Sequence, residues 1–178
     1  MKNFVLALTF SRIGLAPLIL IACIFEYYWY AFILFNLAAL SDYFDGRFAR
    51  KYSVESKFGS ILDPIADKIL LVFVIISVID FSQEIVVPIM CAFILAREFW
   101  VSAIREIASS AQKSSATQVT FLAKSKTAMQ FIALTMHLLG KASGFAMISF
   151  LANFVLLLAV LLAYKSAIIY TQNLLKLR

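Results

Sequence analysis

The chain has 178 residues, of which 63% are hydrophobic and 15% charged, and its mean hydropathy is +0.92. Soluble domains are about 45–50% apolar, so this composition excludes a soluble globular protein and predicts one integral membrane domain over residues 1–178. The formal net charge of +6 then indicates basic cytoplasmic loops and no nucleic-acid partner.

Six apolar stretches follow one another along the chain, each near the ~20 residues that a helix needs to cross a bilayer. They lie at 5–25, 29–47, 61–80, 85–108, 122–140 and 145–168. They predict an all-α fold with six transmembrane helices, since few glycines or prolines interrupt them and no alternating strand pattern appears.

The distribution of lysine and arginine predicts the orientation of these helices. If the N-terminus is inside, the turns near 26–30, 81–84 and 140–144 are outside and hold only Lys141 as a basic residue. The cytoplasmic side then receives Lys2, Arg47, Arg50, Lys51, Lys57, Lys113, Lys124, Lys126, Lys176 and Arg178. This asymmetry predicts that both termini are cytoplasmic.

Four aspartates, Asp42, Asp45, Asp63 and Asp67, lie within this apolar sequence. Each carboxylate costs about 2.5–3.5 kcal/mol to place in hydrocarbon, so a binding partner is expected. The first two are three residues apart and the last two are four apart, so each pair shares a helix face, and the predicted topology brings both pairs to the cytoplasmic face. Such a cage suits one or two divalent ions, as used in phosphoryl transfer.

Small and basic residues accompany the aspartates. Gly46 and Gly59 would let a ligand approach the backbone, and Ala49 keeps the wall of the site close. Arg50 offers a planar guanidinium that matches phosphate oxygens. The pattern therefore predicts a phosphate-bearing substrate next to the ions.

The spacing D-x2-D-G-x2-A-R-x8-G-x3-D-x3-D resembles the motif that defines the CDP-alcohol phosphotransferase family. It is filled here by Asp42, Asp45, Gly46, Ala49, Arg50, Gly59, Asp63 and Asp67. The resemblance implies a six-helix membrane fold, commonly a homodimer, in which an alcohol displaces CMP from a CDP-linked lipid. It implies that the four aspartates bind Mg²⁺ or Mn²⁺, as one or two ions, and that Asp67 is also the base. It implies a CDP site lined by Asp42, Gly46, Ala49, Arg50 and Gly59.

Further segments resemble the bacterial phosphatidylglycerophosphate synthases within this family. They are Phe58–Lys68, Ala96–Glu98, Ala103–Glu106, Ala123–Thr127 and the opening residues Asn3, Thr9, Arg12 and Pro17. The resemblance covers roughly residues 3–135, with Val5 and Leu6 departing from it. It implies CDP-diacylglycerol as donor, sn-glycerol 3-phosphate as acceptor, and a multi-pass protein of the bacterial inner membrane whose active site faces the cytoplasm.

The acceptor phosphate would need a basic pocket, for which Arg97, Arg105, Lys124 and Lys126 are the candidates. Their alternative role is anchoring at the cytoplasmic interface. Arg97 lies about two turns deeper, where a lone charge is costly. It either contacts the ligand or pairs with Glu98 or another buried acid.

Other functions stay open on sequence alone. A sibling transferase would use inositol phosphate, serine, choline or phosphatidylglycerol as the acceptor. A divalent-cation channel or carrier would also contain intramembrane carboxylates, but here they cluster at one face together with Gly, Ala and Arg. A structural subunit that has lost catalysis is a third alternative, although every motif position is intact.

Overall fold

The computed structural model describes residues 2–52, 57–111 and 121–176. Within these ranges, the side chains of residues 2–6, 42–52, 57, 58, 60 and 121–124 lie outside the description. The described chain forms α1 (Lys2–Ile24), α2 (Tyr28–Tyr52), α3 (Lys57–Phe81), α4 (Val86–Ser110), α5 (Phe121–Ser143) and α6 (Ala146–Lys176).

Each predicted apolar stretch corresponds to one of these helices, so the all-helical architecture is confirmed for the described residues. The helix ends differ most from the predicted ends of the apolar stretches in α2 and α6, which continue to Tyr52 and Lys176. Hydropathy marks where a segment becomes polar, but the backbone hydrogen bonds of a helix continue through polar residues. The apolar runs therefore predict the helices better than they predict where the helices end.

The chain divides into two compact units, of which the first comprises Met1–Phe81 and Leu134–Ser149. Within it α1 packs against both α2 and α3. The buried residues of α1 recur every three or four positions and so form one face of the helix. They are Thr9, Arg12, Ala16, Ile19 and Cys23. This face carries the polar residues Thr9 and Arg12 to the inside of the first unit.

Two tight turns in the first unit reverse the chain. After α1, Glu26 adopts a φ of 61°, while the Tyr27 N–H donates to the Ala22 carbonyl and the Glu26 N–H to the Cys23 carbonyl. This is the hydrogen-bond pattern that satisfies the last carbonyls of a helix. Gly144, with a φ of 73°, makes the corresponding turn between α5 and α6, where a residue without Cβ is unstrained.

The second unit comprises Ser82–Ala133 and Phe150–Arg178, and therefore contains α4 and most of α6. One face of α4 is buried from Val87 to Ala108. Small residues recur on the buried face of α6, among them Ala152, Ala159 and Ala163, and such residues allow helices in membranes to approach closely. Val101 and Ile104 of α4 pack there against buried residues of α6.

Among the described residues, three helices are long and apolar enough to cross a membrane. They are the segments Ala7–Ile24, Val86–Ser110 and Ala146–Lys176. In α3 the charged residues Asp63, Asp67, Lys68 and Asp80 interrupt the apolar sequence. The architecture is thus that of a helical membrane protein.

Candidate active-site residues

The two aspartates of α3 meet a buried arginine of α1 inside the first unit. The Arg12 side chain donates from one terminal nitrogen to Asp67 Oδ1 at 2.5 Å and from the other to Asp63 Oδ1 at 3.2 Å. The Thr9 hydroxyl donates to the same Asp63 oxygen at 2.6 Å. We call Thr9, Arg12, Asp63 and Asp67 the acidic cluster, since it contains one positive and two negative charges.

Burial within the acidic cluster is uneven. The Arg12 side chain is fully buried, whereas the side chains of Asp63 and Asp67 are 38% and 44% exposed. Arg12 therefore lies on the inner side of the carboxylates, whose outer parts reach the surface of the unit. Because both contacts to Asp63 use Oδ1, its Oδ2 is the oxygen that these contacts leave for another ligand.

Half-exposed carboxylates with a surplus of negative charge have the donor chemistry that Mg²⁺ and Mn²⁺ prefer. Asp63 and Asp67 thus fit the predicted metal site as one half of it. Among the residues whose side chains are described, no group of three or more Asp, Glu, His or Cys could hold a metal. The other half of the predicted site consists of Asp42 and Asp45, whose side chains the structure does not describe.

The remaining motif residues belong to the last part of α2 and the first turn of α3. The backbone of α2 is helical through Asp42, Asp45, Gly46, Ala49 and Arg50, but their side chains lie outside the description. The glycine that begins the second half of the motif, residue 59, is buried in the first turn of α3. The assignment of these residues to a CDP site stays a prediction.

A second ionic group surrounds Arg97 in the second unit. The Arg97 side chain is 1% exposed, and its Nε donates to the Ala163 carbonyl at 3.0 Å. Its terminal nitrogens donate to Glu98 Oε1 at 2.8 Å and to the Ser166 hydroxyl at 3.3 Å. Arg97 thus links α4 to α6, and the pairing with Glu98 that the sequence left open is present.

Lys126 of α5 joins this group by donating to the same Glu98 oxygen that accepts from Arg97. The Lys126 side chain is 8% exposed and that of Glu98 is 19% exposed. We call Arg97, Glu98, Lys126 and Ser166 the basic cluster, because it contains two positive charges and one negative charge. Lys124, which the sequence also assigns to the acceptor site, has a side chain outside the description.

Arg105 lies two turns after Arg97 on α4, and it is exposed. Its guanidinium carbon lies 5.7 Å from the centre of the Tyr170 ring of α6, within the range of a cation–π interaction. The ring thus contacts the charged end of Arg105 and links it to α6, although the residue as a whole is exposed. The prediction that Arg105 binds an anion is compatible with this placement.

Sequence reasoning did not assign four residues of these clusters to a site: Thr9, Arg12, Glu98 and Ser166. A signal was present for Arg12, because an arginine within an apolar helix is costly unless it meets an acid. That signal does not say which acid on which helix is the partner. For Thr9 the residue type alone carries no such signal, because a buried hydroxyl can also donate within its own helix.

The sequence of the chain is similar to those of known proteins. The model of the CDP-alcohol phosphatidyltransferase family matches residues 3–165. Three relatives bear the name CDP-diacylglycerol–glycerol-3-phosphate 3-phosphatidyltransferase. The protein of Rickettsia felis is 39% identical over 165 residues, 90% of this chain and 89% of the relative. That of Rickettsia typhi is 38% identical over 91% of both chains. That of Salmonella choleraesuis is 33% identical over 74% of both. The chain belongs to the CDP-alcohol phosphatidyltransferase family.

Proposed function

We propose that this protein transfers the phosphatidyl group of CDP-diacylglycerol to sn-glycerol 3-phosphate, giving phosphatidylglycerophosphate and CMP. The observation that carries the proposal is the complete motif in a chain whose relatives, similar over most of its length, are named for this reaction. In the reaction the acceptor hydroxyl oxygen bonds to the β-phosphorus. The bond from that phosphorus to CMP breaks, and CMP leaves with the electron pair.

The carboxylates Asp42, Asp45, Asp63 and Asp67 would hold one or two Mg²⁺ or Mn²⁺ ions. Such ions neutralise charge on the pyrophosphate and make CMP a better leaving group. Asp67 would accept the proton of the attacking hydroxyl, a role open to a carboxylate within hydrogen-bond reach. Its 44% exposure supports access by a substrate.

The donor nucleotide would contact α2 and the start of α3. Asp42, Gly46, Ala49, Arg50 and Gly59 are the residues proposed to line its site. Arg50 would pair with phosphate oxygens, and the glycines would allow the nucleotide close to the backbone. The lipid tails of the donor would stay in the bilayer.

The acceptor phosphate would be bound by basic residues of the second unit, namely Lys126, Arg105 and Lys124. The buried Arg97 would support them through its pairing with Glu98. The surplus of positive charge in the basic cluster supports this role, because Glu98 balances only one of its two cations. Charge-assisted hydrogen bonds from Arg and Lys are the usual way in which proteins hold a phosphate dianion.

We further propose six membrane crossings with both termini in the cytoplasm of a bacterial inner membrane, and assembly as a homodimer. The orientation is supported by the excess of lysine and arginine on the predicted inner side. The length of α2, α3 and α5, between 23 and 25 residues, is sufficient for a crossing.

An acceptor panel tests the proposed reaction. Purified protein is incubated with CDP-diacylglycerol, Mg²⁺ and one acceptor at a time: sn-glycerol 3-phosphate, inositol phosphate, serine, choline or phosphatidylglycerol. CMP release is measured for each. We expect release with glycerol 3-phosphate well above all other acceptors. Release with one of the others but not with glycerol 3-phosphate would replace the acceptor and leave the reaction class intact.

A further inference from the structure

Arg12 and Thr9 are the two members of the acidic cluster that the proposed reaction does not use. Arg12 is fully buried on the inner face of α1 and contacts two carboxylates that lie 51 and 55 residues away in the chain. The carboxylates share one face of α3, because they are four residues apart. A single side chain therefore bridges both acids of this half of the motif.

Charge explains why such a bridge is needed before any metal binds. Two carboxylates on one helix face repel each other, and like charges at this spacing destabilise a helix. The guanidinium, with two terminal nitrogens in a rigid plane, can pair with both at once. Thr9 adds a third donor, to Asp63 Oδ1, so the orientation of that carboxylate is set from two positions of α1.

We infer that Arg12 is a positioning residue for the metal site: it is the resident counter-charge of Asp63 and Asp67 when metal is absent, and with Thr9 it holds both carboxylates in one orientation. This inference rests on the proposed role of these aspartates as metal ligands. The charge of Arg12 and the charge of a divalent cation then stabilise the same two acids.

Two opposite consequences distinguish this role from simple packing. Without the charge of Arg12 the two carboxylates repel each other, so the metal-free protein loses stability. The affinity of the carboxylates for a divalent cation rises, because the cation now relieves that repulsion. Suppose that the cation concentration is about tenfold above the wild-type dissociation constant and that the variant binds the cation about tenfold more tightly. The stabilisation by the cation is then roughly twice as large in the variant as in wild type. Turnover nevertheless falls, because the carboxylates are no longer held in one orientation.

The test compares the melting temperature Tm of detergent-purified wild type, Arg12→Met and Arg12→Lys with EDTA and with Mn²⁺. We expect a lower Tm for Arg12→Met in EDTA and a Mn²⁺-induced rise roughly twice that of wild type. Arg12→Lys keeps the charge, so its Mn²⁺-induced rise should match wild type, while its turnover number falls because an ammonium cannot span both acids in one plane.

The matched control is Arg97→Met, which removes a second buried arginine that pairs with an acid. It should lower the Tm, but its Mn²⁺-induced rise should equal that of wild type. An equal rise in Arg12→Met and wild type would overturn the inference, as would an Arg12→Met protein that does not fold even with Mn²⁺. Wild-type CMP release in the acceptor panel is a separate readout, so failure of the proposed reaction is recognised independently.

Discussion

The acidic and basic clusters are both built around a buried arginine, yet their net charges have opposite signs. In the first unit Arg12 pairs with two aspartates, so the four residues of the acidic cluster carry a net charge of −1. In the second unit Arg97 and Lys126 share one oxygen of Glu98, so one positive charge is unbalanced. The difference follows from which residue is shared between partners.

This contrast gives each unit a distinct chemical preference. A surplus negative charge on half-exposed oxygens attracts a hard cation, and a surplus positive charge on nitrogen donors attracts a phosphate. The arginines also differ in the partners that they choose. Arg12 pairs with acids of α3, which is far from it in sequence. Arg97 pairs with its sequence neighbour Glu98 and also donates to a backbone carbonyl and the Ser166 hydroxyl of α6.

The largest expected effect comes from Asp67→Asn in the acidic cluster. Loss of the proposed base and metal ligand should lower the rate of CMP release by about 10²–10⁴-fold. The Tm should stay close to wild type, because Asp63 remains as the counter-charge of Arg12 and the repulsion between the two carboxylates is removed. The control Asp80→Asn changes an exposed acid of the same helix and should remain active. Normal turnover in Asp67→Asn would refute its role.

Glu98→Gln should be the most destabilising change in the basic cluster. It leaves Arg97 and Lys126 without their shared counter-charge, and breaking a buried ion pair from one side costs on the order of 3 kcal/mol. The free energy of unfolding in mixed micelles measures this effect. Glu106→Gln, at an exposed position of the same helix, should change it little; equal effects of the two variants would show that Glu98 does not hold the cluster together.

Lys126→Met tests the surplus positive charge of the basic cluster. Loss of one charge-assisted hydrogen bond to the acceptor phosphate, worth about 1.5–3 kcal/mol, should raise the KM for glycerol 3-phosphate about tenfold or more. The KM for CDP-diacylglycerol should stay near its wild-type value. Lys165→Met removes an exposed lysine of α6 and serves as the control. An unchanged acceptor KM in Lys126→Met would exclude it from the acceptor site.

The smallest effect is expected for Ser166→Ala. This change removes the longest of the three Arg97 contacts in the second unit, at 3.3 Å, and should cost about 0.5–1 kcal/mol of unfolding free energy. The contacts to Ala163 and Glu98 persist. A loss as large as that of Glu98→Gln would mean that the link to α6, and not the shared acid, determines the stability of the cluster.

Sequence reasoning succeeded where local patterns suffice. Apolar runs identified the six helices, and the spacing of Asp63 and Asp67 placed them on one face of α3. It also offered Glu98 as a partner for Arg97, because a lone charge placed deep in the membrane is costly without an acid nearby. The resemblance to the family, drawn from the eight motif residues, agreed with the match of the family model over residues 3–165.

The unassigned residues depend on contacts between distant parts of the chain. Arg12 stood out as a charge in an apolar helix, but the pairing of α1 with α3 decides which acid it meets. The sharing of Glu98 by Lys126, 28 residues later, likewise depends on how α5 packs against α4. Periodicity describes each helix by itself, so it cannot give these partners.

The most direct test of the central claim is the metal dependence of the wild-type reaction. CMP release from CDP-diacylglycerol and glycerol 3-phosphate is measured before EDTA treatment, after it, and after Mg²⁺ or Mn²⁺ is restored. If the surplus negative charge of the acidic cluster binds a catalytic cation, EDTA abolishes release and the added metal recovers it. Undiminished release in EDTA would contradict the account.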